Sequence, residues 1–180
     1  MALKPTIYKF RIALTDLNRD YYDSLNLTVA LHPSETNERM MARIMAFCLN
    51  AHPDLHFTKG ISTTAEPDIW QQNLSGRSEV WIELGEPDVE RVKKATRMAD
   101  SVKVYTYQIR SDIWWAQNKG KLGYLPVEIV RFDPASIEAL ANNQTRTAGL
   151  SVMVTGQSLF IESDNGSYEV TFETLQAQSE

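Results

Sequence analysis

A single cysteine, Cys48, leaves this chain without a disulfide framework or a thiolate zinc site. Its three histidines, His32, His52 and His56, flank proline or loop positions and show no zinc spacing. No apolar run reaches the ~20 residues of a membrane span. The opening Met1-Ala2-Leu3-Lys4-Pro5 has no continuous apolar segment of the secretory kind. Together these absences predict a cytoplasmic protein with no membrane contact. Positive charge is scarce too: 18 Lys and Arg stand against 23 Asp and Glu, for a net charge of −5. That excludes a strongly basic nucleic-acid sleeve and leaves room for a local positive groove. Gly60, Gly76, Gly120 and Gly123 form no phosphate-loop pattern. What remains is globular in character, 43% hydrophobic and 23% charged. Residues 1–180 read as one domain, long enough to bury a single core.

Hydrophobic periodicity places the elements. Tyr8, Phe10, Ile12 and Leu14 share one face of a strand, with Lys9 and Arg11 opposite. Leu25, Leu27, Val29 and Leu31 alternate in the same way, so the two segments predict an antiparallel hairpin. A helix is expected from Ser34, as N-cap, to about Ala51, with Met41, Ile44, Met45 and Cys48 on its buried stripe. Leu55 to Thr64 is strand-prone but broken by Gly60. The run Val80-Trp81-Ile82-Glu83-Leu84 is apolar on both faces, as in a central strand covered on both sides. A helix from Pro87 to Ala99 and a strand from Val102 to Tyr107 complete a parallel βαβ unit. Further on come a short helix at Ser111–Lys119, a strand at Val127–Phe132 and a helix after Asp133-Pro134. Three antiparallel strands then turn at Gly156-Gln157 and Asp164-Asn165-Gly166. The fold class is α/β with added antiparallel strands.

Three carboxylates stand out by position. Asp68 follows a proline and precedes Ile69-Trp70; Glu83 lies inside the central strand; Glu38 extends the buried stripe of the first helix. A carboxylate on an apolar face requires an arginine, a hydrogen-bonding backbone or a metal ion. Magnesium takes oxygen ligands and is commonly held by one or two carboxylates. Asp68 and Glu83, on neighbouring strands, could converge on one ion that polarises a phosphodiester and activates water. A pair of satisfied structural carboxylates is the plainer alternative.

The order helix, strand, strand, strand, helix, strand, with Pro67-Asp68 and then Glu83-Leu84-Gly85, resembles the PD-(D/E)XK nuclease core. Six strings narrow the likeness: Met1-Ala2-Leu3-Lys4, His32-Pro33-Ser34-Glu35-Thr36, Glu38-Arg39-Met40-Met41, Glu66-Pro67-Asp68 with Trp70, Trp81-Ile82-Glu83-Leu84-Gly85, and Tyr105-Thr106-Tyr107. Jointly they resemble the YaeQ family over essentially the whole chain. The resemblance implies a three-layer, restriction-endonuclease-like core, a mixed sheet flanked by helices, over about 34–107. It also implies a magnesium site with Asp68 and Glu83 as ligands and Glu38 as a third, helix-borne catalytic acid. The sequence departs from the nuclease motif at one place. The lysine expected two residues beyond the glutamate is Gly85.

Lys93 and Lys94 are the nearest substitutes in sequence, but helical phase turns Lys94 away from the sheet. Glu90 offers Lys94 an ion pair instead, and neither ammonium is expected to reach Asp68 or Glu83. Tyr105 and Tyr107 share one strand face, either lining the cleft of Glu83 or packing in the core. Trp114-Trp115 with Lys119, Lys121 and Tyr124 either stack on a single-stranded nucleic acid or form a helix face followed by a solvated loop. Two functions compete, and a purely structural or interaction protein without metal stays open as a third. One is a magnesium-dependent nuclease or phosphodiesterase, slowed by the missing lysine. The other is a non-catalytic module of the same fold with a nucleic-acid or protein partner.

Overall fold

A computed structural model describes residues 4–59 and 65–178. The chain is α/β, with ten strands and four helices among the described residues. It divides into two compact units, Met1–Leu49 with Asp133–Phe172, and Asn50–Phe132 with Glu173–Glu180.

In the first unit, β1 (Thr6–Asp16) and β2 (Tyr21–Leu31) form the expected antiparallel hairpin. On its other edge β1 pairs in parallel with β8 (Thr147–Thr155), which continues antiparallel into β9 (Ser158–Ser163) and β10 (Gly166–Gln176). The parallel junction was not expected. It joins segments far apart in sequence, and no local pattern encodes such a pairing. Phe10, Ile12 and Leu14 are buried while Lys9, Arg11 and Ala13 are exposed, so one face of the sheet carries the core. Two helices of this unit, α1 (Asn37–Leu49) and α4 (Pro134–Ala141), pack on each other.

The first helix begins two residues later than expected. Ser34 is occupied locally, its Oγ 2.8 Å from His32 Nδ1. Thr36 caps the helix instead, its Oγ1 accepting from Arg39 N at 3.1 Å. Glu35 therefore lies just outside the helix. Its buried carboxylate accepts from Arg39 Nη1 (2.6 Å) and Arg43 Nη2 (2.7 Å).

The second unit contains β3 (Leu55–Phe57), β4 (Ile69–Gln72), β5 (Ser78–Leu84), β6 (Ala99–Thr106) and β7 (Val127–Phe132), in the spatial order β7-β6-β5-β4-β3. The expected central strand, β5, is the middle one. It runs parallel to β6 and antiparallel to β4, and β6 is parallel to β7. The rest of the strand-prone stretch, residues 60–64, lies outside the described residues.

Helix α2 (Val89–Met98) makes the βαβ crossover, capped by Asp88, whose Oδ1 accepts from Arg91 N at 2.8 Å. Pro87 falls one residue before that cap. Val92 and Ala95 of α2 meet Trp81, Val102 and Val104 in one core, which also takes Trp114 of α3 (Ser111–Leu122). Trp115 packs against the same core. The tryptophan pair is thus packing, and Lys119 and Lys121 are exposed positions of the helix, not of a loop. The sequence-read core of 34–107 draws α1 from the first unit and β3 to β6 from the second.

Candidate functional site

The middle of the second unit's sheet holds two acids, each 4% exposed: Asp68 before β4 and Glu83 near the end of β5. Backbone pairing ties them to neighbouring positions. Asp68 N donates to Ile82 O (3.1 Å), and Leu84 N donates to Asp68 Oδ2 (2.9 Å). Asp68 therefore grips β5 on either side of Glu83. Thr58 N, from the turn after β3, holds Asp68 O at 3.1 Å. A carboxylate accepting a backbone N–H in the interior is fixed in both position and orientation.

Glu83 shares its face of β5 with Trp81, two residues earlier. Trp81 Nε1 donates to Glu83 Oε1 at 2.9 Å, and Trp70 abuts the Trp81 ring at 6.3 Å, edge to face. The same Oε1 accepts from Arg91 Nε at 2.9 Å, and Arg91 Nη2 lies 2.9 Å from it. Arg91 Nη2 also donates to Glu66 O (2.9 Å), which spans the segment leading into Asp68.

Burial pushes the Glu83 carboxyl above the usual carboxylate range. The Arg91 guanidinium and the Trp81 N–H pull it back down, and the Asp68 charge nearby adds to the rise. The two acids are thus electrostatic neighbours. Arg91 is the counter-charge of Glu83.

Arg91 is the functional residue that sequence reading missed. It stands four residues before Ala95, on the edge of the buried stripe, but its partner is set by how α2 docks. Lys93 and Lys94 are exposed and form no ion pair with either acid, as helical phase predicted for Lys94. Gly85, where the nuclease motif carries lysine, has φ +101°, a region that L side chains rarely adopt. Its N–H donates to Tyr105 O at 2.9 Å. Glycine at this position is a requirement of the backbone.

Tyr105 pairs with Leu84, whereas Glu83 pairs with Val104. Tyr105 therefore lies on the other face of the sheet from Glu83, where its hydroxyl accepts from Asn50 Nδ2 at 2.8 Å. Glu38 stands on α1 in the first unit, half-buried. The acid engaged at the entrance of that helix is Glu35, which pairs with Arg39 and Arg43.

Among the described residues, no group of three or more His, Cys, Asp or Glu is placed to hold a metal ion. Magnesium does not require one, since one or two carboxylates with water and phosphate complete its shell. The oxygen donors of Asp68 and Glu83 fit that chemistry. No helix among the described residues is long and apolar enough to cross a membrane.

Comparison with known proteins matches the whole of this architecture. The family described as YaeQ protein matches residues 1–172. The protein YaeQ of Escherichia coli (strain K12), described as uncharacterized, is 36% identical over 181 residues, covering 99% of this chain and all of that protein. Its Salmonella typhi counterpart is 35% identical over the same span. The crystal structure of YaeQ protein from Xanthomonas axonopodis pv. citri superposes with a TM-score of 0.93 at 32% identity, covering 96% of this chain and 99% of that one. That of YaeQ protein from Pseudomonas syringae gives 0.92 at 32% identity, covering 97% of each. A match of this extent in both sequence and structure means that the chain belongs to the YaeQ family.

Proposed function

We propose that the protein is a slow magnesium-dependent phosphodiesterase or nuclease of the PD-(D/E)XK type, acting in the cytoplasm. The observation that carries this reading is the buried pair of Asp68, before β4, and Glu83, on the central strand, with Asp68 bonded to the backbone beside Glu83 and the Arg91 guanidinium as the counter-charge of Glu83. Asp68 and Glu83 would hold the ion, which when bound supplies Lewis-acid polarisation of a phosphodiester and a more acidic water.

The chain's own residues do the rest. Leu84 N–H and Trp81 Nε1–H orient the two carboxylates. Arg91, only partly buried, can turn from Glu83 Oε1 to a phosphate oxygen, since guanidinium pairs with either in the same forked geometry. In that role it offsets developing negative charge, the task a lysine at Gly85 would have served. The three-layer nuclease core is part of the same reading. It is supported by the mixed sheet with β5 at its centre and by α2 crossing from β5 to β6. Glu38 enters as a third acid on the family resemblance and on its half-buried place in α1.

A second reading has its own observation. The Gly85 backbone does not suit a lysine, and Glu83 Oε1 already accepts two donors. Both fit a non-catalytic module that keeps the fold and binds a nucleic-acid or protein partner. Cleavage of a fluorescent oligonucleotide with Mg²⁺ or Mn²⁺ separates the two. The proposal expects slow, metal-dependent cutting that Glu83→Gln abolishes. Cutting that persists unchanged in Glu83→Gln, or none at any metal concentration, favours the second.

A further inference from the structure

The polar face of the first unit's sheet carries a feature that the acid pair does not use. Register sets two rows side by side. In one, Arg11 lies between Asn26 and Gly149; in the next, Lys9 lies between Thr28 and Thr147. These six positions line an open hollow of about 300 Å³, at the lower end of the range for small-molecule sites. No carboxylate lines it, although the chain is acidic overall.

The Lys9 and Arg11 side chains are exposed and make no hydrogen bond or ion pair among the described residues. The acid further along this face, Glu162 opposite Ser151, accepts from Ser167 Oγ at 2.6 Å and does not line the hollow. Two like charges two residues apart on a strand, roughly 7 Å at their Cα atoms, repel until something anionic lies between them.

Gly149 gives the second, independent indication. Glycine weakens a strand interior and often marks a bulge, a bend, or a place where a ligand or another backbone approaches closely. Its φ is not in the left-handed region, and a Cβ there would meet nothing within 4 Å. Gly149 therefore leaves open space beside Arg11, where a ligand can approach the backbone.

We propose that this hollow binds a small ligand carrying two or more phosphate charges, pyrophosphate or nucleoside diphosphate in kind. Lys9 and Arg11 would pair with the phosphates, with the Thr28 and Thr147 hydroxyls and the Asn26 amide supplying further hydrogen bonds. The small size of the hollow favours a small molecule over a nucleic-acid strand. So does its lining: the single aromatic there, Phe10, is turned to the core and offers no stacking platform.

Calorimetric titration of the full chain with inorganic pyrophosphate and, separately, with ADP tests the proposal, at low ionic strength and with EDTA to silence any metal site. One site per chain is expected. Arg11→Gln and Lys9→Gln should each weaken it about tenfold, while Arg11→Lys retains most of it. Gly149→Val should weaken binding similarly, with no loss of folded signal by circular dichroism. Glu83→Gln should bind as the native chain does. Equal affinity for the two ligands assigns recognition to the phosphates alone; tighter ADP adds the nucleoside. The proposal is overturned if neither ligand binds at millimolar concentration, or if Arg11→Gln binds normally. It is also overturned if a (dT)12 strand binds that pyrophosphate and ADP cannot displace.

Discussion

Substituting Gly85 separates a motif that has merely lost its lysine from a backbone that cannot carry one. At φ +101° any L side chain is strained, by roughly 1–3 kcal/mol. Restricting the unfolded chain returns about 0.4–1 kcal/mol of that. No atom lies within 4 Å of where the Cβ would sit, so no clash adds to the balance. Gly85→Ala and Gly85→Lys should therefore each lose ~0.5–2 kcal/mol, by nearly the same amount. All four tryptophans, Trp70, Trp81, Trp114 and Trp115, belong to the second unit, so tryptophan fluorescence during urea unfolding reports on the unit that holds Gly85. Restoring the motif's lysine should not speed cleavage. The reasoning fails if Gly85→Ala is as stable as the native chain, or if Gly85→Lys cuts nucleic acid faster than it.

Arg91→Met leaves the Glu83 carboxylate without its guanidinium; because that guanidinium is 29% exposed, the expected loss at pH 7 is discounted to about 1–3 kcal/mol. The Glu83 carboxyl is raised on folding, so its share of stability is full below the unfolded pKa and is lost as pH rises through the folded one. Arg91→Met widens that gap, and its stability deficit should grow between pH 4 and pH 8 in urea titrations; a deficit constant with pH would refute the assignment. Arg43→Met removes a 4%-exposed guanidinium from a 2%-exposed carboxylate. It should destabilise the first unit by roughly 2–3 kcal/mol, Arg39 remaining on Glu35. Far-ultraviolet circular dichroism reads this, since that unit lacks tryptophan. Burial pushes the Cys48 thiol up to about 12, so it should react with a disulfide reagent only on unfolding; rapid labelling of the native chain would contradict that burial.

Alternation exposed the hairpin of β1 and β2 because one buried face forces period two on the sequence. The apolar run of β5 disclosed a central strand for the complementary reason, burial on both sides. Asp68 and Glu83 were legible because an acid amid apolar neighbours is costly enough to need a stated cause. What stayed hidden was choice among near-equal partners. Ser34 and Thr36 are both capable caps, and the bond from Ser34 to His32 decides between them. Arg91, Lys93 and Lys94 are all cations on one helix, and only the docking of Val92 and Ala95 selects Arg91. The parallel junction of β1 and β8 is a long-range pairing with no local signature.

Whether Asp68 and Glu83 together hold a divalent cation is read by titrating Mn²⁺ into the full chain by calorimetry. About one ion per chain should bind, weakly enough to need millimolar metal, with binding lost in both Asp68→Asn and Glu83→Gln. Each of these variants keeps an oxygen acceptor for Leu84 N–H or Trp81 Nε1–H, so both should remain folded. No binding by the native chain, or equal binding by folded Asp68→Asn and Glu83→Gln, would mean that these two carboxylates do not hold the ion.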